Sequence, residues 1–279
     1  SERHLEIVRA MAEGIAAASG GELLMSYLPM GGNTSSRWFH DDDWLDLNLF
    51  QSSHGAVDQP NYLMTTADYR RTPVKPVIDG EPRYEDHPVN WEPEQGWFGA
   101  FDVRQAAYWS LLSGAAGHTY GDHNIWQMWQ PGREPVSSAR TPWYQAIDHP
   151  GSWQMGLVRR LFESRPFLFL EPDSTVLPER DEGGAGHQVA ARTEDGTCLI
   201  AYTPLGRPLT VRLDRIAGGR AVAYWFDPRT GEVMSIGTMP AEGVRRFDPP
   251  GGEERGNDWI LVVDSEAAAF ESPPGHPAR

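Results

Sequence analysis

The sequence predicts a mixed α/β and all-β protein, an open set of parallel βα units followed by a small antiparallel β-sandwich. Three observations carry that reading. Helix-like and strand-like stretches alternate as far as about residue 165, with polar residues gathered at the strand ends, as in parallel strands joined by crossover helices. Beyond about Leu170 the texture changes to short alternating runs at close intervals, separated by turn signals. The 279 residues, 39% hydrophobic and 23% charged, have the balance of a globular chain with room for two domains.

The first element is a helix over residues 1–20, where Leu5, Val8, Met11, Ala12 and Ile15 form one apolar stripe at helical spacing. Gly20-Gly21 ends it, and Leu23–Tyr27 reads as a short buried strand. A loop rich in glycine and serine spans Pro29–Arg37. Leu45–Gln51 is the next strand, with Asp46 and Asn48 alternating against Leu47 and Leu49. Asp58–Arg70 reads as helical, and Lys75–Ile78 as a strand running into Asp79-Gly80-Glu81. Phe101–Ala116 is a strong helix carrying Val103, Ala107 and Leu111 on one face, stopped by Gly117. His118–Gly121 is the fourth strand, and Pro142–Ser164 is largely helical with Leu157, Leu161 and Phe162 toward the core.

Eight strands close a (β/α)8 barrel, so this part supplies half of one, and barrel chemistry sits at the C-terminal strand ends. The sandwich strands are Gln188–Thr193, Thr197–Thr203, Leu209–Leu213, Ala221–Phe226, Gly231–Ile236 and Trp259–Val263. The predicted division is residues 1–171 for the partial barrel, 172–266 for the sandwich and 267–279 for a loose tail rich in Ala, Pro and Gly.

A net charge of −15 repels polyanions and argues against nucleic acid. No apolar run approaches the roughly 20 residues of a membrane helix. The single cysteine, Cys198, lies in a strand-like run and reads as core filler rather than nucleophile. It leaves the compartment open, with cytoplasm favoured over secretion. No serine-hydrolase elbow, Walker loop or dinucleotide glycine pattern occurs.

Eleven Trp, ten Phe and nine Tyr concentrate in polar, Gly/Pro-rich segments. Aromatic rings beside Asp, Asn, His and Gln suit sugars, whose C–H faces stack while their hydroxyls hydrogen-bond. Glu81, set where a strand enters an acidic turn, is the first candidate carboxylate, with Arg83 and Tyr84 placed to hold it ionised. Retaining glycosidases need two such groups about 5–5.5 Å apart. Loop capping or pairing with Arg83 is the plainer alternative for Glu81.

Trp38 and His40 frame an acidic turn, Asp41–Asp43, which equally reads as solvated surface and lacks calcium-loop spacing. Asn48, Gln51 and His54 leave one strand and suit a neutral, hydroxyl-rich ligand. Tyr84, Tyr120 and Trp126 complete the binding candidates, Trp126 as a sugar platform. His118 and His123 lack a third ligand at metal spacing, so no metal and no cofactor is expected. Tyr224–Phe226 offer a sandwich face for sugar, although strand core is the simpler account.

These stretches resemble the apiosidase-like glycoside hydrolases, family 140, whose barrel carries a C-terminal domain with a collagen-binding label. The matching residues are Arg9-Ala10-Met11-Ala12-Glu13-Gly14, Ser35-Ser36-Arg37-Trp38-Phe39-His40 and Trp44-Leu45-Asp46-Leu47-Asn48 with Gln51-Ser52 and His54. Asp79-Gly80-Glu81-Pro82-Arg83-Tyr84-Glu85, Arg104-Gln105-Ala106-Ala107-Tyr108-Trp109-Ser110 and Gly117-His118-Thr119-Tyr120-Gly121 complete the set. The resemblance implies the C-terminal half of a (β/α)8 TIM barrel followed by the β-sandwich. It implies a retaining hydrolase removing apiose, or a related terminal sugar, from plant cell-wall pectic polysaccharide, with Glu81 as nucleophile.

The family's acid/base is an Asp in a Gly-Gly-Asp turn on an earlier strand, and no such turn precedes Arg9. The expected partners are therefore a carbohydrate substrate and the N-terminal half of the barrel, in the same or a companion chain; alone, this fragment would be inactive. A non-catalytic carbohydrate-binding protein remains the alternative, and nothing in the residues specifies collagen.

Overall fold

The structure, a computed structural model, describes residues 2–179 and 183–274. Its first part contains α1 (Glu2–Ser19), β1 (Asn33–Thr34), α2 (Ser36–Phe39), β2 (Asn48–Gln51), α3 (Asn61–Tyr69) and β3 (Val77–Asp79). It continues with α4 (Ala100–Leu112), β4 (Gly117–His118), α5 (His123–Trp126), α6 (Trp143–Ala146) and α7 (Pro150–Glu163). The four strands form one sheet in the order β1-β2-β3-β4. β2, β3 and β4 run parallel, and β1 joins β2 antiparallel with Asn33 opposite Gln51. Helices α3 and α4 lie in the two crossovers, as the alternation of elements predicted.

The second part has β5 (Leu170–Pro172), β6 (Val189–Thr193), β7 (Cys198–Thr203), β8 (Leu209–Arg212), β9 (Arg220–Phe226), β10 (Val233–Pro240), β11 (Val244–Phe247) and β12 (Trp259–Ser265). Six of these strands build an antiparallel sheet in the order β10-β9-β12-β7-β6-β5, while β8 and β11 pair as a separate ribbon. The molecule is thus mixed helix and sheet, with a large antiparallel sheet.

That sheet is covered on both faces. From β7 and β12, Cys198, Ile200, Tyr202, Ile260 and Val262 pack with Tyr108 and Leu112 of α4 and Leu157 and Leu161 of α7. Their neighbours Leu199, Ala201, Leu261 and Val263 pack with Leu209, Val211 and Phe247 of the ribbon. Both faces of β7 and β12 are buried, so these strands, read as alternating, are apolar on both sides. Cys198 is core, and burial pushes its thiol up.

Helix α4 is similarly enclosed, with 11 of its 13 residues buried. Its Arg104 forms a two-pronged bond to buried Asp258 at 3.0 and 2.7 Å and donates to Gln154 Oε1 at 2.7 Å. Arg165, just past α7, clasps Asp264 of β12 at 2.7 Å. Fork-to-carboxylate geometry satisfies both buried charges at once.

Several expectations need correction. Leu23–Tyr27 is not a strand: Asp46 N–H donates to Met25 O at 2.9 Å, but no ladder forms and Leu24 is 80% exposed. An apolar run without a second strand alongside cannot satisfy its own backbone. The predicted Pro29–Arg37 loop contains β1 and the start of α2. The predicted helix over Pro142–Ser164 divides into α6 and α7, because Pro150 cannot continue a helix but suits the first turn of one. β5 and β11 fall in segments too short or too polar to read as strands. Within the predicted tail, Phe270 packs on the core and Arg165 donates to Glu271 O at 3.0 Å; residues 275–279 lie outside the described residues. Among the described residues no helix is long and apolar enough to cross a membrane.

Removing one partner of a buried ion pair strands the other charge. Arg104→Ala is expected to lower unfolding free energy by about 3–5 kcal/mol, read from urea denaturation. A loss below about 1 kcal/mol would contradict the role assigned to this pair.

Candidate active site

Asp79 ends β3 fully buried and fixes the tips of its neighbours. Ser52 donates to it through its backbone N–H at 3.2 Å and its hydroxyl at 2.6 Å, and Asn61 of α3 donates at 3.2 Å. Burial raises the Asp79 carboxyl, and these donors work against that rise. Gly80 N–H then donates to Phe50 O at 2.8 Å, and a Cβ at Gly80 would meet Leu28 Cδ1 at 2.9 Å. Ser53 N–H donates to Glu81 O at 3.1 Å. Glu81 therefore emerges at the C-terminal ends of the parallel strands, its side chain 25% exposed.

His54, itself buried, meets that carboxylate. Tyr84 N–H donates to His54 Nδ1 at 3.4 Å, so Nε2 carries the proton and donates to Glu81 Oε1 at 3.3 Å. Tyr84 lies against the His54 ring at 4.6 Å. Burial, with Glu81 and Asp79 nearby, pushes the Tyr84 phenol up to about 12, so it stays protonated at neutral pH. On the other side His87 stacks on His54 at 4.2 Å, and Trp91 meets both rings edge-on. His87 Nδ1–H donates to Pro88 O at 2.6 Å. Its Nε2 is buried with no partner among the described residues. Burial, then His54 and His123, push His87 down to about 3. His123 packs edge-on against His87 at 4.4 Å, and Trp126 donates to His123 Nδ1 at 3.4 Å. A continuous ring stack thus runs from Glu81 to Trp126.

A second group lies farther beyond the strand tips. Glu85 and Asp122 pair as an isolated parallel bridge, extending the contact between β3 and β4. Tyr120 donates to Glu85 Oε2 at 2.7 Å, and Gly151 N–H, in the first turn of α7, donates to Oε1 at 3.1 Å. His149 Nδ1 meets Asp122 Oδ2 at 2.6 Å. Glu85, Asp122 and His149 place donor atoms within 4.8 Å of one another, a set able to hold a metal ion. Tyr120, Gly151 and the His149–Asp122 contact already engage both Glu85 oxygens, Asp122 Oδ2 and His149 Nδ1, so the group serves as a brace between strand tips and α7.

The structure brings His54 and Tyr84 to Glu81, and Trp126 to it through the histidine stack. Tyr120 turns its hydroxyl to Glu85. Gln51, the last residue of β2, is half-buried beside β1. His40 and Asn48 bond to each other at the start of β2, the end opposite Glu81. Trp38 packs on Tyr27 at 6.4 Å beneath Arg37. Asp41 and Asp43 are exposed, while Asp42 binds Arg9 at 2.7 Å. Arg83 does not hold Glu81: its guanidinium is buried 5.7 Å from the Trp109 ring of α4, with no hydrogen-bond partner among the described residues.

His87, His123, Trp91 and the Glu85–Asp122–His149 group were not legible as site residues. No spacing announces side chains that meet from three separate loops. A hollow lined by Leu111, His118, Tyr120, Met155 and Phe162 lies beside β4 and α7 and does not include Glu81.

The family profile described as "Apiosidase-like, catalytic domain" matches residues 1–169. The chain belongs to the apiosidase-like family. The profile described as "Putative collagen-binding domain of a collagenase" matches residues 172–264. Among solved structures, one described as a glycoside hydrolase is 33% identical with a TM-score of 0.89, covering 94% of this chain. A glycoside hydrolase family 5 protein from Bacteroides vulgatus is 32% identical with a TM-score of 0.91, covering 96% of this chain. The apiosidase-like chain spans 62% of the length of each of these two proteins. Among proteins with curated descriptions none matches in sequence.

His87 and His118 are both pushed down to about 3 by burial. The unfolded chain binds protons at these positions near pH 6.5 that the folded one refuses, so stability is lost as pH falls from there toward 3. The melting temperature is expected to drop between pH 7 and 4, and His87→Phe to flatten that slope. Identical slopes in both proteins would refute the buried, uncharged state of His87.

Proposed function

We propose that this chain is the nucleophile-bearing part of a retaining glycoside hydrolase that removes apiose, or a related terminal sugar, from plant pectic side chains. The single observation carrying this is the Glu81 carboxylate held by His54 Nε2 at 3.3 Å at the C-terminal ends of parallel strands, where barrel enzymes place their chemistry. Membership of the apiosidase-like family supports the substrate class.

The four-stranded sheet is then the C-terminal half of a (β/α)8 barrel. Exposed Ile7, Met11 and Ile15 on α1, with Leu23, Leu24 and Met30, form the apolar side on which the remaining barrel packs. The six-stranded sheet and its ribbon make up the β-sandwich domain.

The residues divide the work as follows. His54 anchors Oε1 and leaves Oε2 free to attack the anomeric carbon. The bond to the leaving oxygen breaks as a second carboxyl, about 5–5.5 Å from Glu81, protonates it. Water then cleaves the glycosyl–Glu81 ester with net retention. That second carboxyl belongs to the other half of the barrel, so the chain alone turns over poorly. Tyr84, which stays protonated, is a hydrogen-bond donor available near the carboxylate.

In the full-length protein, Glu81→Gln should lower kcat by about 10³-fold or more, roughly 4 kcal/mol of transition-state stabilisation. His54→Ala should cost about 10²-fold through misplacement of the carboxylate. Reducing-sugar release from apiose-bearing pectic oligosaccharides measures both, and proton NMR of the first product gives the stereochemistry. An active Glu81→Gln enzyme rules out Glu81 as the nucleophile, and an inverted product rules out the retaining mechanism.

A further inference from the structure

We propose that Trp91 is a stacking platform for a sugar ring of the substrate, beside Glu81; this rests on the glycosidase reading above. Three independent features of Trp91 point there. The first is position: its ring lies 5.6 Å from that of His54, the residue bonded to Glu81, and 4.3 Å from that of His87. The second is exposure. Both contacts are edge-on, at interplanar angles of 85° and 80°, and 47% of the residue remains open to solvent. That exposure leaves much of the indole available to a ligand.

The third feature is backbone strain. Trp91 has φ of 66° and Asn90 before it has φ of 53°, both in the left-handed region. Asparagine tolerates that region; a bulky indole does not do so without cost. The surrounding loop imposes the conformation. Phe98 N–H donates to His87 O at 3.0 Å, Val89 N–H to Gly96 O at 2.9 Å, and Asn90 N–H to His54 O at 2.8 Å. The loop is thus closed on itself and tied to the backbone of the residue that positions the carboxylate.

A rigid, solvent-facing indole suits the C–H face of a sugar, which gains by leaving water against an aromatic plane. Trp126, at the far end of the histidine stack, is 50% exposed and offers a second plane farther along. Trp91, nearer the carboxylate, serves the ring flanking the scissile bond.

The test is titration of the full-length protein, in the Glu81→Gln background, with an apiose-bearing pectic oligosaccharide, followed by tryptophan fluorescence and calorimetry. Trp91→Ala should weaken binding at least tenfold, and Trp91→Phe should restore most of it. Trp91→Gly, which relieves the left-handed strain, should weaken binding equally while leaving the melting temperature unchanged or raised. Unchanged affinity in Trp91→Ala and Trp91→Gly overturns the platform, as does a melting temperature lowered by several degrees with affinity intact. Absence of any glycan binding before mutation at Trp91 overturns both the platform and the glycosidase reading. Hydrolysis surviving Glu81→Gln, with binding still lost in Trp91→Ala, overturns the nucleophile assignment alone.

Discussion

The buried carboxylate of Asp79 is the constraint on which the rest of the site depends. An acid removed from water must be hydrogen-bonded on every side or lose its charge. Ser52 and Asn61 meet that demand from two other elements. Satisfying Asp79 therefore draws the tip of β2 and the start of α3 to the end of β3. Gly80 N–H then donates to Phe50 O, and Glu81 leaves the sheet beside His54. The position of the exposed carboxylate follows from the needs of the buried one.

A comparable constraint joins the two parts of the chain. α4 is a crossover helix of the first sheet and also a wall of the second, so it has no solvent side on which to place charge. Arg104 within it requires an acceptor, and Asp258 at the entry to β12 supplies one. Arg165 and Asp264 repeat the arrangement at the end of α7. Buried pairs of this kind contribute little net stability compared with apolar residues, but they penalise every misaligned packing. They set register between helices and sheet.

Much of the fold was readable because it follows local rules. The alternation of helices and strands, the glycine stops and the short runs beyond Leu170 each reflect periodicity within a few residues. The errors arose where periodicity is silent about partners. Leu23–Tyr27 has the composition of a strand without a neighbour to pair with. Asn48 was read with Gln51 and His54 from one polar strand, yet three residues of strand span about 10 Å, enough to put it at the far end, where it bonds His40 at the end of α2. Arg83 was expected at the carboxylate because it is close in sequence; its side chain instead packs behind the turn on Trp109.

Most of the helices and strands, the acidic turn that presents Glu81, and the family to which residues 1–169 belong are legible along the chain. Those properties are encoded locally, in spacing and in residue type. That His54 donates to Glu81, that ring contacts run from His54 through His87 and His123 to Trp126, and that Glu85, Asp122 and His149 meet at the start of α7 emerges in three dimensions alone. These groups come from loops separated by tens of residues, and their juxtaposition depends on how the sheet and helices close around Asp79. Hydrogen bonds between such loops have no period, so no reading along the chain reveals them.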